Sequence, residues 1–167
     1  MLLRPGPYIC GEHDGGGFPW YLLTTPGLKF RTDNAPYLAE VDAWWTVLLG
    51  AVRPWLYSNG GPVVMVQMEN EFGSYGNTGG VPADATYMRH LKTLAQSILG
   101  GADAVQLYTT DGGSTGYLSH GALPGEIYAV GDGNGPAADM FAAQDQYNPP
   151  GWRAHASTEW YPGWLTQ

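Results

Sequence analysis

"GPVVMVQMENEFG", residues 61 to 73, carries an apolar run directly into two acids with an asparagine between them. Val63, Val64 and Val66 follow a Gly-Pro turn signal and have the make-up of a strand buried on both faces. Acids are costly to bury, so Glu69 and Glu71 at the end of such a strand need a partner or a task. Strand alternation sends Glu69 and Glu71 to one face and Asn70 to the other. For Asn70 and Glu71 to serve one pocket, the backbone must leave regular strand geometry here. Gly73 marks a place where it can.

Outward from this stretch, short apolar strands alternate with amphipathic helices. Strands are expected at Tyr8–Cys10, Val63–Met68, Val105–Thr109, Ile127–Val130 and His155–Thr158. One helix is expected over Pro36–Val52, with Asn34 near its cap and Pro54 as its stop. A second begins at Asp84, presents Tyr87, Leu91, Leu94 and Ile98 on one face, and stops at Gly100-Gly101. A shorter one spans Ala137–Gln146. Each βα unit takes roughly 30 residues, the length of a parallel crossover. No Gly-rich phosphate fingerprint of the GxGxxG or GxxxxGK type follows any strand, which counts against a nucleotide fold. Polar residues gather where strands finish, at Glu12, Asn70-Glu71, Asp111, Asp132 and Glu159. That is the arrangement of a (β/α)8 TIM barrel, whose site is built at the C-terminal ends of its strands. A complete barrel takes about 250 residues. Five strands make this a partial (β/α)8 TIM barrel.

The 167 residues carry a formal net charge of −8, with seven Lys and Arg and no basic cluster, so nucleic-acid binding is not expected. Charged residues make up 13% of the chain, about half the usual share, while aromatics and glycines are abundant. Low charge with many aromatics and glycines suits a protein that handles neutral polar ligands such as sugars, and suits a loop-rich fragment equally well. Cys10 is the only cysteine, which rules out an internal disulfide and a cysteine-based zinc site; it reads as an inert core residue. No stretch reaches the roughly 18 apolar residues of a membrane span. The opening "MLLRPGPYIC" reads as the middle of a strand-turn-strand segment, so residues 1–167 are expected to be a barrel fragment truncated at both ends.

Glu71 and Glu159 stand 88 residues apart, about three βα units, which in a barrel sets them across the mouth from one another. Two facing carboxyls are the minimum equipment for glycoside hydrolysis. One delivers a proton to the leaving oxygen, and the other, ionised, attacks or supports the oxocarbenium-like carbon. Unequal surroundings assign such roles.

Four stretches carry a resemblance. "LLRPGPYICGEHDGGGFPWYLL" (2–23), "NGGPVVMVQMENEFGSYG" (59–76), "YTTDGG" (108–113) and "STEWYPGWL" (157–165) resemble, in order, the motifs of the family 35 glycoside hydrolases, the β-galactosidases of that family. The resemblance implies a TIM-barrel catalytic domain, of which this chain holds roughly strands three to seven. It implies a retaining exo-β-galactosidase acting on terminal β-galactosides, with no metal or other cofactor. Glu71 matches the acid/base and Glu159 the nucleophile. Asn70 matches the residue that binds the sugar 2-hydroxyl, and Gly11-Glu12 the pair that holds galactose hydroxyls. Many members have Ala where Gly11 stands and an aromatic where His13 stands. The resemblance places an early substrate tyrosine before Met1 and the eighth strand after Gln167.

Other readings compete at single positions. Glu69 reads as a structural acid, Asp111 in "TTDGG" as a turn residue, and His155 as a packed strand residue. Glu12, His13 and Asp14 lack a second ligand cluster for a metal. Trp152, Trp160 and Trp164 read as core or rim packing. For the whole chain the alternatives are another exo-β-glycosidase of the same clan, and a carbohydrate-binding or inactive fragment.

Overall fold

The structure is a computed structural model that describes residues 1–78, 84–152, 154–161 and 163. Its described residues fall into two compact units, one made of residues 1–70 and 84–107, the other of 71–78 and the residues from 108 onward.

In the first unit, strand β1 (Leu2–Leu3) pairs in parallel with β2 (Met65–Gln67), Leu2 opposite Met65 and Leu3 opposite Val66. Helix α1 (Ala35–Val52) begins where Asn34 Oδ1 accepts the Tyr37 amide at 3.3 Å, with Pro36 in the first turn. Tyr37, Val41, Trp45 and Leu49 recur every fourth residue, so they fall on one stripe, and all four are buried. Burying one such side chain stabilises by about 1.5–3 kcal/mol. Past Val52 the chain tightens into a 3-10 turn over Arg53–Trp55, because Pro54 cannot continue the helical hydrogen bonds.

Helix α3 (Ala85–Leu99), which follows α2 (Phe72–Thr78) in the chain, packs on α1. Asp84 Oδ1 accepts the Tyr87 amide at 2.9 Å, and Gly100 ends the helix at φ 115, a conformation suited to glycine. Its buried face is Tyr87, Met88, Leu91, Ala95 and Leu99. Leu94 and Ile98 are only half-buried, so the face is rotated from the one expected.

The expected strand at Tyr8–Cys10 is not formed; these residues are irregular, and the strand is Leu2–Leu3. Pro5 and Pro7 have no N–H to give a ladder, so regular pairing stops before them. Cys10 is exposed at φ 51, and the inert core thiol expected there is corrected.

The second unit carries α2 (Phe72–Thr78), β3 (Gln106–Gly112) from Tyr108 onward, α4 (Thr115–Gly121), β4 (Tyr128–Gly133), α5 (Ala137–Tyr147) and β5 (Ser157–Trp160). β4 pairs in parallel with β3 on one side and β5 on the other. Between Gly131↔Ser157 and Gly133↔Trp160 the β4–β5 register slips, so β5 spends one residue more than β4. Tyr108 to Asp111 and Tyr128 to Asp132 are buried without alternation, as strands covered on both faces require. Asn148 and Gln144 fasten α5 to β4, their side-chain amides both donating to the Ala129 carbonyl, at 2.9 and 2.7 Å.

Parallel strands taken in chain order with helices between them are the repeat of a (β/α)8 barrel. Five such strands, among the described residues, make a partial one. No described helix is long and apolar enough to cross a membrane.

Candidate active site

β2 stops at Gln67, and the chain turns sharply before α2 begins at Phe72. Within that turn Glu69 has φ 66 and Glu71 φ 46, left-handed values at about 1–3 kcal/mol each for residues other than glycine. The departure from strand geometry is thus where the sequence demands it, but it falls on the acids themselves and not on Gly73. Such conformations persist only where surrounding bonds over-determine them. Here the Glu69 amide donates to the Gly6 carbonyl at 3.0 Å, and Gln67 Nε2 donates to the Glu69 carbonyl at 2.7 Å. Arg4 Nη2 and Gln67 Nε2 both reach Asn70 Oδ1, at 2.6 and 3.1 Å.

Glu69 is a structural acid. Its carboxylate is buried, takes Arg31 Nε on Oε1 at 3.3 Å and Arg31 Nη2 on Oε2 at 2.7 Å, and also accepts the Tyr87 hydroxyl at 2.7 Å and the Asn70 amide at 2.8 Å. The same Nη2 donates to the Asn70 carbonyl at 2.6 Å, and the guanidinium lies 4.1 Å from the centre of the Tyr8 ring. Burial works against the Arg31 charge, but Glu69 outweighs it and the pKa is raised. Burial, then the Glu69 charge, holds Tyr87 well above its ordinary value. Sequence reasoning missed Arg31 entirely, since "KFRTDN" offers it no local partner.

In the second unit Glu71 is half-buried, its amide donating to the Thr110 carbonyl at 2.9 Å. It lines a cavity of about 340 Å³ together with Asp132, Tyr161 and a wall that includes Gly112, Gly113, Gly133 and Gly135. Tyr161 has its hydroxyl pKa raised, first by burial and then by the negative charges of Asp132, Glu71 and Glu159. Glu159 sits half-buried near the end of β5, outside the residues that line the cavity. On that strand Thr158 Oγ1 meets Thr110 Oγ1 at 2.7 Å, and Ser157 Oγ donates to the Glu159 carbonyl at 2.9 Å. The structure therefore brings Glu71, Tyr161 and Asp132 around one cavity and ties the strand of Glu159 to the residue that holds Glu71.

The model of the glycosyl hydrolases family 35 matches residues 1–167. The chain belongs to that family. A rice (Oryza sativa subsp. japonica) protein named Beta-galactosidase 8 is 47% identical over 99% of this chain and 24% of its own length. Beta-galactosidase 17 of Arabidopsis thaliana is 48% identical over 99% of this chain and 23% of its own. The human Beta-galactosidase is 43% identical, again over 99% of this chain and 23% of its own. The chain thus spans about a quarter of the length of the curated relatives it matches.

The other residues singled out in the sequence lie as follows. Gly11 and Glu12 belong to the first unit, in a loop where the Gly11 amide donates to the Gly16 carbonyl at 2.9 Å; Glu12 is exposed there, well past the end of β1 and not at a strand end. Asn70 is buried, its amide oxygen held as described. Asp111 is no turn residue: it is fully buried inside β3, and Oδ1 accepts the Gly73 amide at 2.7 Å, at the first turn of α2. His155 is exposed before β5, stacked on Phe141 at 4.5 Å with Nε2 3.1 Å from Asp145, which corrects the packed strand residue expected. Trp160 is exposed, Trp152 meets the Tyr128 ring edge-on, and Trp164 lies outside the described residues. Among the described residues no group of three or more His, Cys, Asp or Glu could hold a metal ion, Glu12, His13 and Asp14 included.

Proposed function

We propose that this chain supplies the catalytic acids of a retaining, exo-acting β-galactosidase, with Glu71 as general acid/base and Glu159 as nucleophile. The observation that carries the reading is the placement of Tyr161, in one cavity with Glu71 and within the field of both acids. The names of the family 35 relatives supply the sugar.

Glu159 attacks the anomeric carbon while Glu71 gives its proton to the departing oxygen. A glycosyl ester forms on Glu159, and Glu71, now a carboxylate, takes a proton from the water that breaks it. Asn70 binds the 2-hydroxyl, and Gly11 and Glu12 bind other hydroxyls of the terminal galactose. The half-buried setting of both acids leaves them open to substrate, whereas Glu69, saturated by four donors, is not.

The test is stereochemical. Hydrolysis of an aryl β-galactoside by the protein carrying this chain at full length, followed by NMR at early times, gives the β-anomer first. The α-anomer as first product overturns the reading. Glu159→Gly abolishes hydrolysis, and added azide then yields the galactosyl azide of inverted configuration. Glu71→Ala slows galactosides with poor leaving groups far more than activated aryl galactosides, which need no protonation.

A further inference from the structure

Thr110 stands in the middle of β3, buried, with one group bonded to Glu71 and another to the residue before Glu159. Its carbonyl accepts the Glu71 amide at 2.9 Å. Its hydroxyl meets that of Thr158 at 2.7 Å, and Thr158 is the residue before Glu159. The second contact is unusual in its reach. β4 pairs with both β3 and β5, so a hydroxyl pair joining β3 to β5 passes over an intervening strand. The β4–β5 register slip falls beside it, between Gly131 and Gly133 on β4. A bulge re-aims side chains and weakens the ladder as a ruler of position. A direct hydroxyl bond restores one fixed distance where the backbone ladder has lost register.

We propose that Thr110 is a positioning residue for both acids at once, its carbonyl fixing the backbone of Glu71 and its hydroxyl fixing the β5 residue beside Glu159. Retention needs the two carboxyls about 5–5.5 Å apart, close enough for one to attack while the other protonates. A misplacement of about 1 Å can cost about a hundredfold in rate. This inference rests on the assignment of Glu71 and Glu159 as the catalytic pair.

The experiment compares Thr110→Val, which keeps the shape and loses the hydroxyl, with Thr110→Ser, which keeps the hydroxyl. Both are made in the protein carrying this chain at full length. For Thr110→Val, kcat on an aryl β-galactoside is expected to fall about 10- to 100-fold. The inhibition constant of galactose is expected to stay within about threefold, since hydroxyl recognition belongs to other residues. Thr110→Ser is expected to recover kcat to within about threefold of the parent. Thr158→Val is expected to reproduce the loss, and the double variant to lose no more than either single one. Full kcat in Thr110→Val overturns the proposal. So does a loss that Thr110→Ser shares, or one matched by equally weakened galactose binding, since those mark a merely structural residue. Glu159→Gly serves as the separate control: if it still hydrolyses the substrate, the assignment of the acids falls, whatever Thr110 does.

Discussion

Arg31 grips Glu69 through both carboxylate oxygens and reaches past it to the carbonyl of Asn70, so one buried cation holds an acid and the peptide that leads into Glu71. The pair is desolvated, and its value lies in what each member would suffer alone. A buried ion that loses its partner costs roughly 3–5 kcal/mol, more than most surface pairs ever contribute.

Glu69→Gln and Arg31→Met are each expected to destabilise the protein by roughly 3–5 kcal/mol in urea unfolding. The double variant is expected to lose less than the two losses added together, because no lone charge remains. Additive losses would show that the pair is not coupled.

Alkaline pH is expected to weaken the same region. Tyr8 is pushed up to about 12, chiefly by burial, while Tyr37 and Tyr87 are raised by burial and by the Glu69 charge. Unfolded, each would release its proton near 10.0. Above that pH the unfolded chain loses protons that the folded chain keeps, so stability falls as pH rises through the folded values. The thermal midpoint should therefore be level below about pH 10 and decline beyond it, and Tyr87→Phe should flatten the decline. Tyrosinate absorbance that rises in one step, with every tyrosine near its ordinary value, would contradict this.

Gly121 has no room for a side chain, because a Cβ there would run into the Asp111 carboxylate. Gly121→Ala should cost about 1–3 kcal/mol through overpacking. Asp111→Ala should cost about as much, since it strands the buried Gly73 amide at the start of α2. Asp111→Asn keeps an acceptor and should be the mildest of the three. Denaturant midpoints at constant slope check the order.

Glu12 is expected to act in binding alone. Glu12→Gln should raise KM and alter sugar preference, and leave the basic limb of the pH–rate profile where it was. A variant that lost the basic limb would move the proton-donor role to Glu12.

What could be read from the sequence follows the range of the forces involved. Asn34, Asp84 and Gly100 were legible as helix ends because a cap acts within three residues of itself. Glu71 and Glu159 were expected at strand ends; Glu159 lies near the end of β5, and Glu71 lies in the turn that follows β2. α2 and α4 were not, since "FGSYGNT" and "TGYLSHG" have no amphipathic period. Those helices exist because Gly73 and Gly121 let backbone and Asp111 approach, a tertiary cause. Arg31 lies 38 residues from Glu69, and Thr110 lies 48 from Thr158; neither distance leaves a local trace. Tyr8–Cys10 misled because apolar residues after prolines resemble a strand, while the two-residue β1 is too short to show a pattern.

The glycine wall of the Glu71 cavity limits how this pocket can be changed by mutation. At Gly112 a Cβ would come within 2.6 Å of the Tyr117 ring, and at Gly113 within 2.9 Å of Met140. Gly133 has φ 123, which side chains rarely adopt. Gly135 has neither obstacle. Of these four positions, then, a randomised library has one practical entry point. Variation at residue 135 can change the lining of the pocket while the other three hold its outline against drift.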